Sequence, residues 1–392
     1  MKFFHLSDLH IGKQLHGYSL AVNQRKILKQ VVDLAKAYKP DAILIVGDVY
    51  DKSVPSGEAF TIFDEFLQNL AEIEPGIPVL IIAGNHDSPE RLQFASSFLE
   101  KHQIYIATMP PREEDEHMQK VTLQDEYGDI DFWMLPFTKP GYVRKLFDEQ
   151  DIRDYQTAIS LLLERENIDF DKRNVLLSHQ FYSAGGTLPQ VCDSETSSVA
   201  LQVGGLDVID VSVLDGFDYV ALGHIHGQQM VGSETVRYCG TPLKYSVSEE
   251  FHHKSITMVT INEKGQDIVI DKLPLKAEQD VRRERGMLEE ILESATAENC
   301  NDFISVTITD EIEPYQPKEQ LEKVYPYLLE LKVDNTRTRQ LFLEEDLMDK
   351  SNMSPMDSFR EFYRQIHHAD MTAVEEEVMM TLISEVAGGF EE

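Results

Sequence analysis

The sequence predicts an α/β fold: a parallel or mixed sheet covered by helices, then a smaller α+β unit and a helical tail. Three observations carry this. In the first hundred residues, short buried-strand runs alternate with amphipathic helical spacing, the βαβαβα order that builds a helix-covered sheet. Two apolar runs, Ala42–Val46 and Val79–Ala83, each end on a glycine, Gly47 and Gly84. After about Pro274 the alternation restarts, and it then gives way to an acidic tail in which residues 341–392 hold 13 acids against 3 bases.

The elements follow in order. Phe3–Leu6 reads as a short strand. Ile27, Leu28, Val31, Val32, Leu34 and Ala35 keep helical spacing within Leu20–Tyr38, and Pro40 ends that helix. Ala42–Val46 is a buried strand, Ser56–Ile73 a helix with Phe60, Phe63, Phe66, Leu67 and Leu70 on one face, and Val79–Ala83 a second buried strand. Pro89–Lys101 begins another helix. Ile130–Leu135, Asn174–Ser178 and Tyr219–Gly223 are later strands, and Val236–Cys239, Ser255–Ile261 and Asp267–Leu273 read as a closing antiparallel set. Pro110–Lys120 and Ser183–Gly205 read as loops. Behind them, a helix at Met287–Glu298, a strand at Phe303–Thr309 and a helix at Lys318–Lys332 form the small unit, which ends near Arg339. In the tail, Met356, Phe359, Phe362, Tyr363 and Ile366 make one amphipathic stripe, and Val374, Val378, Leu382 and Val386 a second.

Composition narrows the class. The chain has 392 residues, 42% hydrophobic and 27% charged, enough for a real core and two or three domains. No apolar run approaches the roughly 18 residues of a membrane span. Asp8 interrupts the N-terminal stretch, so no secretory signal is expected. Three widely spaced cysteines, Cys192, Cys239 and Cys300, argue against a disulfide framework or a thiolate zinc site, and fit a cytoplasmic protein. With 36 basic and 69 acidic residues the net charge is −33. Such a surface repels phosphate backbones at long range, so contact with nucleic acid requires metal ions, a local basic patch or a partner chain.

The chemistry gathers just past the predicted strand ends. Asp8-Leu9-His10 follows the first strand, Gly47-Asp48-Val49-Tyr50-Asp51 the second and Gly84-Asn85-His86-Asp87 the third. Ser178-His179-Gln180 and Gly223-His224-Ile225-His226 follow two later ones. Carboxyl ends of strands are where open α/β sheets bind ligands. A pair of divalent cations needs a bridging carboxylate, imidazole and oxygen ligands, and open positions for water and phosphate. Mixed nitrogen and oxygen ligation without thiolate suits Mn, Fe or Zn.

In this order, Asp-x-His, Gly-Asp-x-x-Asp, Gly-Asn-His-Asp, a lone histidine and Gly-His-x-His resemble the calcineurin-like metallophosphoesterase superfamily. FFHLSDLHIGKQLHGYS, VGDVYDKSVPS, GNHDSPERL, VALGHIHGQQ and YCGTPLKYSVSEE resemble its Mre-type DNA-repair nucleases. The resemblance implies an αββα sandwich nuclease domain over 1–275, a small α+β DNA-capping domain over 276–340 and a helical partner-binding segment over 341–392. It implies two metal ions, Mn²⁺ foremost: one on Asp8, His10, Asp48 and His226, the other on Asp48, Asn85, His179 and His224, with Asp48 bridging. It gives His86 the phosphate contact and the leaving oxygen, with Asp87 orienting it. Asp51 supports a ligand or the turn, and Arg91 offers a phosphate contact. The activity implied is cleavage of double-stranded DNA ends and of single-stranded and hairpin DNA, in a complex with an SbcC-type SMC-like ATPase held by the C-terminal helices, the nuclease chain itself pairing as a homodimer. Arg282-Arg283-Glu284-Arg285 and Arg337-Thr338-Arg339 are the basic spots near the cap. The same ligands also serve phosphatases and small-molecule phosphodiesterases, because they define the reaction and not the substrate.

Overall fold

Strands buried on both faces need cover on both sides, and this chain builds that arrangement twice. The computed structural model describes residues 1–147, 152–195 and 208–339, with scattered positions between 356 and 380. One six-stranded sheet runs Val269–Pro274, Ser255–Thr260, Lys2–Leu6, Ala42–Val46, Val79–Ile82, Ile104–Ala107. Its last four strands are parallel and the first two close the edge antiparallel. The other runs Gln229–Val231, Ser233–Tyr238, Tyr219–Leu222, Arg173–Ser178, Gly128–Leu135, Gln119–Asp125, with the middle four parallel.

The sheets pack face to face over Phe3, Leu44, Val46, Leu80, Phe132, Val175, Leu177 and Tyr219, all buried. Outside the first sheet, helices Ala21–Tyr38 and Gly57–Ala71 bury Ile27, Val31, Phe63, Phe66 and Leu70 against Ile43, Ile45 and Ile81. Ser56 caps the second of these helices by accepting from the Ala59 N–H at 3.2 Å. Lys39, in the left-handed region, stops the first. Outside the second sheet, Tyr155–Arg165 buries Ala158, Ile159 and Leu162 against Leu176 and Val220. The layers are therefore αββα, as the motif resemblance implied.

Parallel registers bring Leu6 level with Ile45, Val46 with Ile82, and Leu222 with Ser178. Each of those strand ends opens into one of the five polar motifs.

Several expectations are corrected. The closing antiparallel set is divided: Ser255–Thr260 and Val269–Pro274 join the first sheet, while Ser233–Tyr238 joins the second, parallel to Tyr219–Leu222. The helix expected from Pro89 breaks at Ala95, whose φ of 60° lies in the left-handed region, giving two short turns, Pro89–Leu92 and Ser96–Leu99. Met287–Glu298 shortens to Leu288–Glu293. The expected helix Lys318–Lys332 ends at Glu322, because Pro326 removes a donor, and Leu328–Val333 is a strand. That strand lies in a three-stranded sheet ordered Val281–Gly286, Phe303–Ile308, Leu328–Val333.

The chain divides into two compact units. One comprises Met1–Glu284, Leu292–Val306 and Lys318–Leu331; the other Arg285–Ile291, Thr307–Pro317 and Lys332–Glu392. In the second, Asp334 takes ion pairs from Arg285 and from Arg339, the latter at 2.6 Å. Of the tail stripes, Met356, Phe359, Tyr363 and Val378 are helical. Phe362, Ile366, Val374, Leu382 and Val386 lie outside the described residues. Arg360 pairs with Glu376 at 2.6 Å and the Tyr363 hydroxyl donates to Glu375 at 2.8 Å, so the two helical stretches touch. Among the described residues no helix is long and apolar enough to cross a membrane.

Candidate metal centre

The backbone is bent where the strands end. Asp8, His10, Asp48 and His224 all have positive φ, at 52°, 42°, 50° and 97°. Non-glycine residues rarely adopt that conformation, and strain of this kind gathers at functional sites. It is held by cross-strand bonds: Asp8 N–H donates to the Gly47 carbonyl at 3.0 Å and His10 N–H to the Asp48 carbonyl at 2.9 Å. Two glycines let the loops meet. A Cβ on Gly84 would lie 2.2 Å from Asp48 Oδ1, and one on Gly223 would lie 1.9 Å from the Val46 carbonyl oxygen.

The result is one buried cluster. His10 Nε2 and His226 Nε2 face each other at 3.1 Å, and His10 Nε2 lies 3.7 Å from Asp48 Oδ2. His179 Nε2 lies 3.4 Å from Asp48 Oδ2 and 3.9 Å from Asp8 Oδ1. Asn85 Oδ1 sits 2.9 Å from His224 Nδ1 and 3.2 Å from His179 Nε2. Ligand atoms of Asp8, His10 and His226 lie within 4.8 Å of one another, as do those of Asp8, Asp48 and His179. All seven expected ligands are thus brought together.

The donor set fits divalent cations. Two imidazole nitrogens converge beside buried carboxylate oxygens, the mixed nitrogen and oxygen set that divalent cations take. Burial holds His10 well below the ordinary histidine value, and burial with the His179 charge takes His224 down to about 3, so both rings are neutral and able to ligate. His179 differs: burial opposes its charge, yet Asp48 and Asp8 push it up to about 9. Asp48 in turn is held well below the usual carboxylate range by His179 and His86, against its burial.

The remaining expected residues are placed as follows. His86 N–H donates to Asp48 Oδ1 at 2.8 Å, and its ring Nδ1 meets the Asp51 carbonyl at 2.9 Å. The Asp87 carboxylate accepts from the N–H groups of Val49, Tyr50 and Gly84 at 2.9–3.1 Å, so it ties the second and third motif loops together. Burial and the Asp48 charge raise Asp87 to about 6. Asp51 Oδ1 lies 2.9 Å from Lys13 Nζ and 3.7 Å from His10 Nδ1. Arg91 donates to the Ser53 carbonyl at 3.1 Å from an exposed position.

Residues 1–228 match the calcineurin-like phosphoesterase family model, and residues 277–367 match that of the type 5 capsule protein repressor C-terminal domain. The SbcD chain of the SbcCD nuclease from Staphylococcus epidermidis is 33% identical over 334 residues, covering 84% of this chain and 85% of that protein. The chain belongs to the SbcD family of calcineurin-like phosphoesterases. Among solved structures, the TT1561 protein of Thermus thermophilus is 13% identical with a TM-score of 0.37, covering 69% of this chain and 98% of its own. A dimetal phosphatase from Danio rerio is 12% identical with a TM-score of 0.38, covering 70% and 96%. At that level of likeness they carry nothing about the chemistry of this SbcD-family centre.

Some residues that shape the centre were not legible in the sequence. Gln24, on the first helix, donates to the His10 carbonyl at 2.7 Å and accepts from Gly12 N–H at 3.0 Å. Ser194 and Glu195 reach His226 from a stretch that reads as plain loop, and Glu249 from the YCGTPLKYSVSEE segment beyond Gly-His-x-His. The one available signal was Glu249-Glu250 closing the YSVSEE segment, a carboxylate pair in an otherwise small and apolar stretch.

Proposed function

We propose that this chain is the metal-dependent nuclease component of a DNA end-processing complex, cutting double-stranded ends and single-stranded and hairpin DNA in repair and recombination. The observation that carries the reading is the convergence of seven nitrogen and oxygen ligands at one sheet rim, in a chain of the SbcD family. Asp8, His10, Asp48 and His226 hold one divalent ion, Mn²⁺ foremost; Asp48, Asn85, His179 and His224 hold the other. Bound there, the ions supply an acidified water and neutralise charge at the phosphate. Asp48 presents Oδ2 to both histidine groups while His86 N–H pins its Oδ1. His86, held through Nδ1 on the Asp51 carbonyl, contacts the phosphate and, when its ring is doubly protonated, gives the proton on its other nitrogen to the leaving oxygen. Asp87 acts on that step through the loop it ties, and Asp51 through His10. Arg91 meets a neighbouring phosphate.

The net charge of −33 suits a protein that leans on metal and a partner to hold DNA. The basic spots are largely neutralised: Arg282 pairs with Asp302 at 3.0 Å and Arg283 with Glu250 at 2.8 Å. In this reading 1–275 is the nuclease domain, 276–340 the DNA cap, and 341–392 docks an SbcC-type SMC-like ATPase. A second copy of the chain covers the groove lined by Phe60, Phe63, Leu67 and Phe98, where Phe94 is 81% exposed. The three unpaired cysteines fit a cytoplasmic setting.

The test is cleavage of end-labelled duplex and hairpin DNA with Mn²⁺, with and without the ATPase, wild type beside Asp48→Asn. Cleavage lost in the variant and increased by the partner is expected. No cleavage of DNA in any combination, beside brisk hydrolysis of a small phosphodiester, would move the chain to small-molecule chemistry on the same centre.

A further inference from the structure

His226 is gripped from behind by residues far away in sequence. Its Nε2 faces the metal cluster, while Nδ1 lies 2.8 Å from the Ser194 hydroxyl. That hydroxyl lies 3.0 Å from Glu249 Oε1 and donates to it. Glu249 is fully buried and its two oxygens are divided between tasks. Oε1 takes Ser194, Tyr245 N–H at 3.1 Å and the Ser246 hydroxyl at 3.1 Å; Oε2 takes Lys254 at 2.6 Å. Lys254 also donates to Thr241 Oγ1 at 2.6 Å and to the His226 carbonyl at 3.2 Å, so the ammonium offsets the buried carboxylate and holds the same loop. Glu195, beside Ser194, accepts from the His226 N–H and from the Cys192 N–H, closing the 192–195 turn onto the histidine backbone.

The donor chemistry of this chain admits one ordering. Glu249, paired with Lys254, accepts; the Ser194 hydroxyl has one proton and gives it to Glu249; its oxygen is then an acceptor, and only an Nδ1–H on His226 satisfies it. A histidine protonated on Nδ1 presents the Nε2 lone pair. We propose that Ser194 and Glu249 are positioning residues of the metal centre, a hydroxyl relay that fixes the tautomer and angle of His226 so that Nε2 points at a divalent ion. Metal-ligating histidines commonly hand their second N–H to a carboxylate directly. Here the direct separation of Nδ1 and Glu249 Oε1 is 3.8 Å, beyond a hydrogen bond, and the serine spans it. The relay rests on the ligand set proposed above.

The experiment measures Mn²⁺ binding to the full chain, through the EPR signal of the free ion, for wild type, Ser194→Ala and Ser194→Thr, with melting of each chelator-treated protein alongside. Ser194→Ala is expected to bind roughly 10–100-fold more weakly at an unchanged melting midpoint, and Ser194→Thr, which keeps the hydroxyl, to recover most of the loss. Wild-type affinity in Ser194→Ala, or a threonine variant as weak as the alanine one, would overturn the relay. A wild type that binds no Mn²⁺ would instead overturn the ligand set beneath it. If the alanine variant does not fold, wild type labelled with ¹⁵N-histidine decides: a proton on His226 Nδ1 supports the relay, and one on Nε2 refutes it.

Discussion

The centre depends on single atoms whose partners fix their chemistry. His86 illustrates this: its backbone N–H holds Asp48 Oδ1 and its ring Nδ1 rests on the Asp51 carbonyl. In the mechanism proposed above, replacing it with alanine removes a proton donor and no ligand. His86→Ala should lower kcat by about 10²–10⁴-fold while Mn²⁺ affinity and KM for DNA stay near wild type, measured by steady-state cleavage beside metal titration. Wild-type turnover would remove the leaving-group role. That the seven expected ligands gather at one place was legible because each sits one to four residues past a buried strand, where pattern and chemistry coincide. Ser194 and Glu249 were not, because they meet His226 across 32 and 23 residues and carry no local periodicity. The positive φ of Asp8, His10, Asp48 and His224 was likewise hidden, since Asp and His enter that region more often than most residues yet far less often than glycine.

Among elements, the second sheet is anchored by a charge pair that spans three strands and a turn. Arg173, its side chain only 3% exposed, pairs with Asp125 at 2.6 Å and also donates to the carbonyls of Gly128, Asp129 and Asn262. Asp125→Asn leaves that guanidinium buried without its counter-charge and should destabilise the fold by about 3 kcal/mol in denaturant melts at pH 7. The Arg173 hydrogen bond holds Asp125 well below the usual carboxylate range. A group whose folded value is depressed stabilises above its unfolded value, about 4, and loses that contribution as pH falls through the folded value. The gap between wild type and variant should therefore be constant from about pH 8 to pH 5 and close below about pH 4. A gap that widens in acid would contradict the pairing. Element type was legible where a run was long and periodic, as in Ala21–Tyr38. It failed at Leu328–Val333, where Leu329-Glu330-Leu331-Lys332-Val333 alternates with the period of a strand, a signal the expected helix Lys318–Lys332 overran.

For the whole molecule, the sequence carried the helix-covered sheet but not the partition into two. Val236–Cys239 and Ser255–Ile261 both read as strands, and which sheet each joins depends on partners distant in the chain. What unites the architecture is one rim: both sheets deliver their parallel strand ends to the same cluster, so side chains from five loops share a site inside a chain of net charge −33. Buried Asp8 and Asp48 beside four histidines make sense as a cradle for cations, and that is the central claim. Its most direct test is anomalous diffraction at the manganese edge from crystals of the full chain soaked in Mn²⁺. The account predicts two peaks about 3.5–4 Å apart, one among Asp8, His10, Asp48 and His226, the other among Asp48, Asn85, His179 and His224. No peak at this rim while Mn²⁺ binds elsewhere, or a single ion that leaves His179, His224 and Asn85 without a ligand role, would contradict it.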